Sequence, residues 1–196
     1  MRAFITAAAL LLATTAAQAQ NAANASSAAP TPATAASAAP EVGQPAPDFT
    51  LPSAGASGTT TPVTLSSLRG KVVVLAFYPK DRTGGCTAEL TKFRDQYTNL
   101  FGDRVGKDVV VVPISADNVA SHAAWAKESN FPFALVADTG LTAVTAYGSR
   151  MDKMPLSKRT VFVVGRDGTI KYRDLQFNAL SEDAYARLKD AVAKAG

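Results

Sequence analysis

The sequence predicts an α/β fold in which a central mixed sheet is flanked by helices. Two valine-rich runs, at residues 71–78 and 109–114, are continuously apolar rather than alternating, which is typical of central strands covered on both faces. Between them, apolar residues at helical spacing predict an amphipathic crossover helix that begins near Cys86: Leu90, Phe93, Tyr97 and Leu100. Strand, helix and strand together make a β-α-β unit.

The remaining elements continue this alternation to the end of the chain. They are predicted as a helix from about Asn118 to Ser129, a strand from Phe133 to Ala137, a short helix around Leu141–Tyr147, strands at 160–164 and 169–175, and a helix that Ser181 caps and that ends near Lys194. Residues 165–168 read Gly-Arg-Asp-Gly, which favours a hairpin turn between the last two strands. Strands and helices that close on a hairpin and a terminal helix make an α/β sandwich.

Residues 1–19 predict a bacterial signal peptide. They combine a basic start at Arg2, an apolar segment at 7–13 and the small-x-small sequence Ala17-Gln18-Ala19, so cleavage is expected before Gln20. An uncleaved membrane anchor is the alternative, but the apolar segment is shorter than the roughly 18 residues that a spanning helix needs. We therefore expect a periplasmic or secreted protein without stable membrane association after cleavage.

A compositional change separates this leader from the folded domain. Residues 20–40 consist almost entirely of alanine, serine, threonine, proline and asparagine, and they carry no charge. Such a segment cannot bury a core, which predicts a disordered linker and leaves 41–196 as the folded domain. The formal net charge of the chain is +4, and no dense block of lysine and arginine indicates a nucleic-acid partner.

Cys86 is the only cysteine of the chain, and it follows a predicted strand at the start of a predicted helix. A lone cysteine is often a small buried apolar residue. At a helix N-terminus, however, unpaired N–H groups and the helix dipole stabilise a thiolate, which indicates a nucleophile. The surrounding pattern is P-x-x-x-T-x-x-C, made by Pro79, Thr83 and Cys86, and it is followed by Glu89.

This pattern closely resembles the active-site signature of the peroxiredoxins, and most of all their bacterioferritin comigratory protein (Q) subclass. The resemblance extends to residues 42–52, to Ile114–Asp117 with Ser121-His122, and to Lys158–Val164. It implies a thioredoxin-like fold and a thiol-dependent peroxidase that reduces hydrogen peroxide and organic hydroperoxides. Cys86 would attack the peroxide and become a sulfenic acid.

The resemblance also implies roles for the neighbours of Cys86. Thr83 would hydrogen-bond the peroxide, Arg159 would stabilise the thiolate and the leaving oxygen, and Glu89 would orient Arg159. Pro79 would shield the thiolate from water, and the backbone N–H groups of Gly85 and Cys86 would be further donors.

Each of these residues also has a simpler interpretation. Thr83 could cap the helix, Pro79 could end a strand, Arg159 could be a solvated charge and Glu89 a first-turn acid. Taken together, the pattern favours the catalytic roles. His122 is the only histidine, and because no cluster of metal ligands accompanies it, a packing or surface role is favoured over metal binding or catalysis. No metal or other cofactor is expected.

Two positions depart from the family pattern. Gly84 stands where relatives usually carry proline, which gives the loop more freedom to lose on ordering. Thr91 stands where many relatives of the subclass carry a resolving cysteine, so the sulfenic acid would need an external thiol: a thioredoxin-like protein, a glutaredoxin-like protein or glutathione. The alternatives are a redox sensor that is not an enzyme, and a thiol:disulfide oxidoreductase, which ordinarily needs a C-x-x-C pair.

Overall fold

The computed structural model describes residues 38–58, 60–103 and 105–196. Within these ranges the elements are, in chain order, β1 (Thr50–Leu51), β2 (Ser53–Ala54), β3 (Val63–Thr64), a short 3-10 helix (Leu65–Leu68), β4 (Val72–Phe77), α1 (Gly84–Asp95), α2 (Tyr97–Phe101), β5 (Val109–Ser115), α3 (Val119–Ser129), β6 (Leu135–Ala137), α4 (Thr142–Ala146), β7 (Thr160–Val164), β8 (Ile170–Asp174) and α5 (Glu182–Lys194).

The described strands build a central mixed sheet, which confirms the predicted fold class. Over these residues, six strands pair in the order β2-β6-β5-β4-β7-β8, and β1 pairs with β3 separately. The central strand β4 runs parallel to β5 and antiparallel to β7. The edge strands β2 and β8 are antiparallel to their neighbours.

Strand β4 packs into apolar clusters on both faces of the sheet, as its unbroken run of apolar residues predicts. Val72, Val74 and Ala76 face the helices α1, α2, α3 and α5. The residues between them, Leu75 among them, face α4 and the N-terminal part of the domain around Phe49. Each such aliphatic side chain contributes about 1.5–3 kcal/mol by its burial, so this strand is a rigid base for the loop that follows it.

The structure differs from the prediction along the crossover helix and at β6. The predicted single helix is interrupted at Gln96, whose ψ of 27° is not helical, so α1 and α2 are separate. Helical spacing of the apolar residues continues across this break and does not reveal it. Strand β6 begins at Leu135 rather than Phe133, because the β5–β6 ladder joins only the end of the predicted strand. The Phe133 ring stacks on Phe131 instead, with centroids 5.2 Å apart.

The packed part of the domain begins just before the predicted boundary at Glu41. Arg173 donates to the carbonyl oxygens of Ala39, at 3.3 Å, and Pro40, at 3.2 Å. A side chain at Gly148 would meet the backbone of Ala39 at 2.7 Å. The predicted signal peptide and all of the predicted linker up to residue 37 lie outside the described residues. None of the described helices is both long and apolar enough to span a membrane.

Candidate active site

Cys86 lies in the first turn of α1, after the loop that leaves the carboxyl end of β4. Its side chain is fully buried and its thiol is free. The N–H of Thr87 donates to the carbonyl oxygen of Thr83 at 2.8 Å and begins the helical hydrogen bonding. The N–H groups of Gly84, Gly85 and Cys86 come earlier, so they have no acceptor within the helix. These groups and the helix dipole stabilise negative charge at the sulfur.

Arg159 reaches this thiol from the position just before β7, the strand that neighbours β4. Phe77 pairs with Thr160 in the antiparallel β4–β7 ladder, so the residue that precedes β7 lies beside the end of β4. The Nη2 atom of Arg159 lies 3.3 Å from the Sγ atom of Cys86. Because the Arg159 side chain is only 19% exposed, its charge acts on the sulfur with little screening by water. The arginine is therefore a partner of the thiol and not a solvated charge.

Glu89 contacts the other arm of the same guanidinium. It follows Cys86 by three residues, which places both side chains on one face of α1. Its Oε2 atom accepts a hydrogen bond from Arg159 Nη1, whereas its Oε1 atom has no partner among the described residues. Burial raises the pKa of Glu89 to about 7, and Arg159 opposes this rise only in part. Because α1 begins at Gly84, Glu89 is not a first-turn acid.

Gly85 leaves the space that Arg159 fills. A Cβ atom added at Gly85 would lie 3.0 Å from Arg159 Nη2, whereas a Cβ atom at Gly84 would meet nothing within 4 Å. Contacts of 3.0 Å are closer than carbon and nitrogen normally approach. Arg159 can therefore approach the sulfur because residue 85 has no side chain. The absence of a side chain at residue 84 is not needed for this approach.

Thr83 and Pro79 belong to the loop before α1. Thr83 is exposed and occupies the N-cap position, yet its side chain makes no capping hydrogen bond. Its hydroxyl donates to the carbonyl oxygen of Lys80 at 3.0 Å, which leaves the lone pairs of the Thr83 oxygen free to accept. Pro79 is half-buried, two residues beyond the end of β4. The structure thus brings Cys86, Arg159 and Glu89 into contact and places Thr83 and Pro79 on the adjoining loop.

Comparison with known proteins assigns this arrangement to a family. Residues 42–173 match the AhpC/TSA family. The chain belongs to it. A Coxiella burnetii protein provisionally named peroxiredoxin bcp is 40% identical over 136 residues, which are 66% of this chain and 85% of that protein. Peroxiredoxin Bcp of Bacillus subtilis is 32% identical over 162 residues, 79% of this chain and 98% of that one.

A solved structure agrees with these sequence relatives. The crystal structure of peroxidoxin BcpB from Mycobacterium tuberculosis superposes with a TM-score of 0.65 at 30% identity, and the match covers 79% of this chain and 97% of that one. The chain is thus a peroxiredoxin of the Bcp/PrxQ type with a thioredoxin-like fold, and it is a thiol-dependent peroxidase. The sensor and oxidoreductase alternatives are not favoured.

Sequence reasoning gave no role to a buried polar cluster beside the site of this peroxiredoxin. Asp81, in the loop before α1, accepts hydrogen bonds from Tyr78 at 2.8 Å and Ser121 at 2.6 Å, and lies 3.0 Å from His122 Nδ1. The sequence predicted that His122 has either a packing role or a surface role. His122 is fully buried, so the packing role is the one observed, and the residue makes a buried polar contact. A usable signal was present: polar residues that follow two parallel central strands meet at one sheet edge.

Among the described residues, no group of three or more histidine, cysteine, aspartate or glutamate side chains could hold a metal ion.

Proposed function

We propose that this peroxiredoxin works with one cysteine, reducing hydrogen peroxide and organic hydroperoxides at Cys86 and relying on an external thiol for recycling. The observation that carries the proposal is the 3.3 Å contact between Arg159 Nη2 and the sulfur of the only cysteine in the chain. A guanidinium in that position favours the thiolate, which is the reactive form.

In the first half-reaction, the Cys86 thiolate attacks one peroxide oxygen. The S–O bond forms as the O–O bond breaks, and the second oxygen leaves as hydroxide or alkoxide and takes up a proton. Arg159 and the N–H groups of Gly85 and Cys86 would stabilise charge on the reacting oxygens. The Thr83 oxygen, whose proton is donated to Lys80, would accept a hydrogen bond from the peroxide and hold it for in-line attack.

In the second half-reaction, an external thiol attacks the sulfenic acid of Cys86. An S–S bond forms and water leaves, and a second thiol then releases the Cys86 thiolate as an external disulfide forms. Thr91, five residues after Cys86, has no sulfur to take the first step. The reductant would be a thioredoxin-like protein, a glutaredoxin-like protein or glutathione.

Peroxide consumption with each of these reductants tests the proposal. Catalytic turnover with at least one monothiol or dithiol reductant is expected, together with one sulfenic acid per chain after stoichiometric peroxide. A protein that consumes a single equivalent of peroxide and then stops with every reductant would contradict catalytic recycling.

We also propose that the protein is exported and acts in the bacterial periplasm or outside the cell. The basic start, apolar segment and Ala17-Gln18-Ala19 sequence support export, and residues 20–40 would tether the domain of residues 41–196. Fractionation of expressing cells, with N-terminal sequencing of the recovered chain, is expected to yield periplasmic protein that begins near Gln20. Full-length protein confined to the cytoplasm would contradict export.

A further inference from the structure

The Cys86 sulfur is closed off from large reactants. Its side chain has no exposed surface, although the preceding residues Thr83, Gly84 and Gly85 are exposed. A thiol that resolves the sulfenic acid must bring its own sulfur into line with Cys86, and this needs more room than a peroxide oxygen does. If the proposed recycling operates, the loop before α1 has to move first.

Asp81 ties that loop to the rest of the domain. Besides the hydrogen bonds from Tyr78 and Ser121, its N–H donates to Asp117 Oδ2 at 2.9 Å. Asp117 is held in turn by the Ser115 hydroxyl at 2.9 Å. Burial alone would raise the pKa of Asp81, but the hydrogen bonds from His122 and its neighbours hold it below its usual value. Asp81 is thus an ionised carboxylate that connects the loop to β5 and α3.

His122 contacts Asp81 from α3. Its Nδ1 atom lies 3.0 Å from Asp81 Oδ2 and its Nε2 atom lies 3.2 Å from the carbonyl oxygen of Val136 in β6. These two contacts fix the imidazole ring between the loop and β6. A buried carboxylate that loses such a partner has given up its water without compensation, so Asp81 stays in place only while its hydrogen bonds are intact.

The residue between Asp81 and Thr83 is strained. Arg82 has a φ of 60°, a left-handed conformation that side chains other than glycine rarely adopt. Its guanidinium contacts Glu128 of α3, with Nε 3.0 Å from Oε2 and Nη2 3.0 Å from Oε1. Such a conformation persists only where its surroundings impose it. If the Asp81 contacts are lost, Arg82 can therefore relax to an ordinary backbone conformation. Thr83 and the start of α1 then move with it.

We propose that Asp81 and His122 are positioning residues that hold the loop closed for the reaction with peroxide, and that separation of this pair exposes the Cys86 sulfenic acid to the external thiol. The proposal rests on the proposed one-cysteine recycling. It assigns to α3, through His122, Ser121 and Glu128, control over the second half-reaction.

The test measures the two half-reactions separately. The protein is oxidised with one equivalent of hydrogen peroxide and then mixed with increasing glutathione, and quenched samples are analysed by mass spectrometry for Cys86 sulfenic acid and its glutathione adduct. If opening precedes attack, the rate of adduct formation reaches a plateau equal to the opening rate once attack by glutathione is faster than reclosing. We expect Asp81→Asn and His122→Asn to raise this plateau about tenfold or more and to slow oxidation by peroxide.

Two further variants complete the test. Glu128→Gln changes an exposed contact of Arg82 and threatens folding least, so a smaller rise in the plateau is expected even if the buried variants do not fold. Tyr147→Phe removes a buried hydrogen bond to the carbonyl oxygen of Pro47, 2.9 Å long, on the other face of the sheet. It should lower stability without changing the plateau.

Different results would overturn the positioning role alone or the proposed function as well. A plateau unchanged in every folded loop variant, or raised equally by Tyr147→Phe, would overturn the positioning role while leaving the proposed function intact. If the wild-type rate rises linearly with glutathione, its slope reports the opening equilibrium, and a slope unchanged in every folded loop variant would likewise overturn the positioning role. Failure of peroxide to oxidise Cys86 at all would overturn both proposals.

Discussion

The active site places two acidic groups, the Cys86 thiol and the Glu89 carboxyl, against one largely buried cation, the guanidinium of Arg159. The thiol contacts Nη2 and the carboxylate contacts Nη1 of the same guanidinium. Since burial raises the pKa of Glu89 to about 7, a substantial fraction of Glu89 is neutral near neutral pH. In that state Glu89 does not neutralise Arg159, whose positive charge lies beside the Cys86 sulfur.

Replacing Arg159 with methionine is expected to slow peroxide reduction by about 10²–10³-fold, the loss typical of removing one donor to a developing oxyanion. The substitution also removes the 3.3 Å contact between Nη2 and the sulfur, so alkylation of Cys86 at a fixed pH should be slower. Lys158→Met is the matched control, because it removes a 45% exposed cation from the adjacent position. Equal rates of peroxide reduction in the wild type and Arg159→Met would show that Arg159 has only a structural role.

Glycine substitutions separate activity from stability in α1. Gly85→Ala should reduce activity, because the added Cβ at 3.0 Å displaces Arg159 Nη2, while Gly84→Ala, in open space, should keep it. Gly84→Ala should unfold at equal or higher denaturant concentration, since alanine is favoured over glycine in helices by up to about 1 kcal/mol. Gly85→Ala should gain less stability, because displacement of Arg159 weakens its contact with the buried Glu89. Peroxidase assays and urea unfolding on both variants check this. Equal activity of the two variants would show that Gly85 does not set the position of Arg159.

The buried carboxyl of Glu89 predicts a pH dependence of stability. Its pKa is higher in the native state, about 7, than the ordinary value of 4.5, so the native state binds the proton more tightly. This contribution is complete below about pH 4.5 and is lost as the pH rises through 7. Relative to Glu89→Gln, the wild type should lose roughly 2–3 kcal/mol of unfolding free energy between pH 5 and 8, at about 1.36 kcal/mol per pKa unit.

Urea unfolding of both proteins across this range measures the difference. The Glu182→Gln variant removes a surface ion pair with Lys92 at an 82% exposed side chain, so its curve should run parallel to that of the wild type, offset by at most about 1 kcal/mol. Parallel curves for the wild type and Glu89→Gln would contradict the raised pKa of Glu89.

At the scale of elements, the start of α1 has to be both ordered and able to open. The helix is continuous from Gly84 to Asp95, so Cys86 and Thr91 are separated by about 7.5 Å of helical rise. A disulfide tolerates Cα separations only up to about 6.8 Å. The variant Thr91→Cys can therefore form an intrachain bridge only if this part of the helix unwinds.

We expect peroxide-treated Thr91→Cys to form that bridge and to depend on a disulfide reductase for turnover. Peptide mapping after stoichiometric peroxide detects it, with Thr91→Ser as the control that keeps size without a second sulfur. Cys86 sulfenic acid beside a free introduced cysteine would show that the helix stays closed during resolution.

Sequence patterns predicted most of these elements because each is encoded locally. The apolar runs of β4 and β5 specify buried strands, and Asn118 and Ser181 cap α3 and α5 as their positions suggest. The short strands β1, β2 and β3 were not predicted, since two residues carry no readable period. The interruption at Gln96 was missed for a similar reason: one non-helical residue does not disturb the spacing of apolar side chains.

At the scale of the whole molecule, the site depends on contacts between distant parts of the chain. Arg159 meets Cys86 across 73 residues, and His122 meets Asp81 across 41. These contacts depend on the register of the sheet and on the order of its strands. Neither the register nor the strand order can be read from the composition or the periodicity of the sequence. The family pattern pointed to Arg159 in advance, whereas the pairing of Asp81 with His122 emerged only from the fold.

The most direct test of the central claim is hydrogen peroxide consumption by the wild type and by Cys86→Ser, each supplied with the thiol that supports turnover. One oxygen replaces one sulfur in a site of fixed shape, so the variant should fold, and circular dichroism checks this. Turnover by Cys86→Ser should fall to the uncatalysed rate of thiol and peroxide, because the chain has no other thiol to carry the electrons. A folded Cys86→Ser protein that retains turnover near the wild-type rate would contradict it.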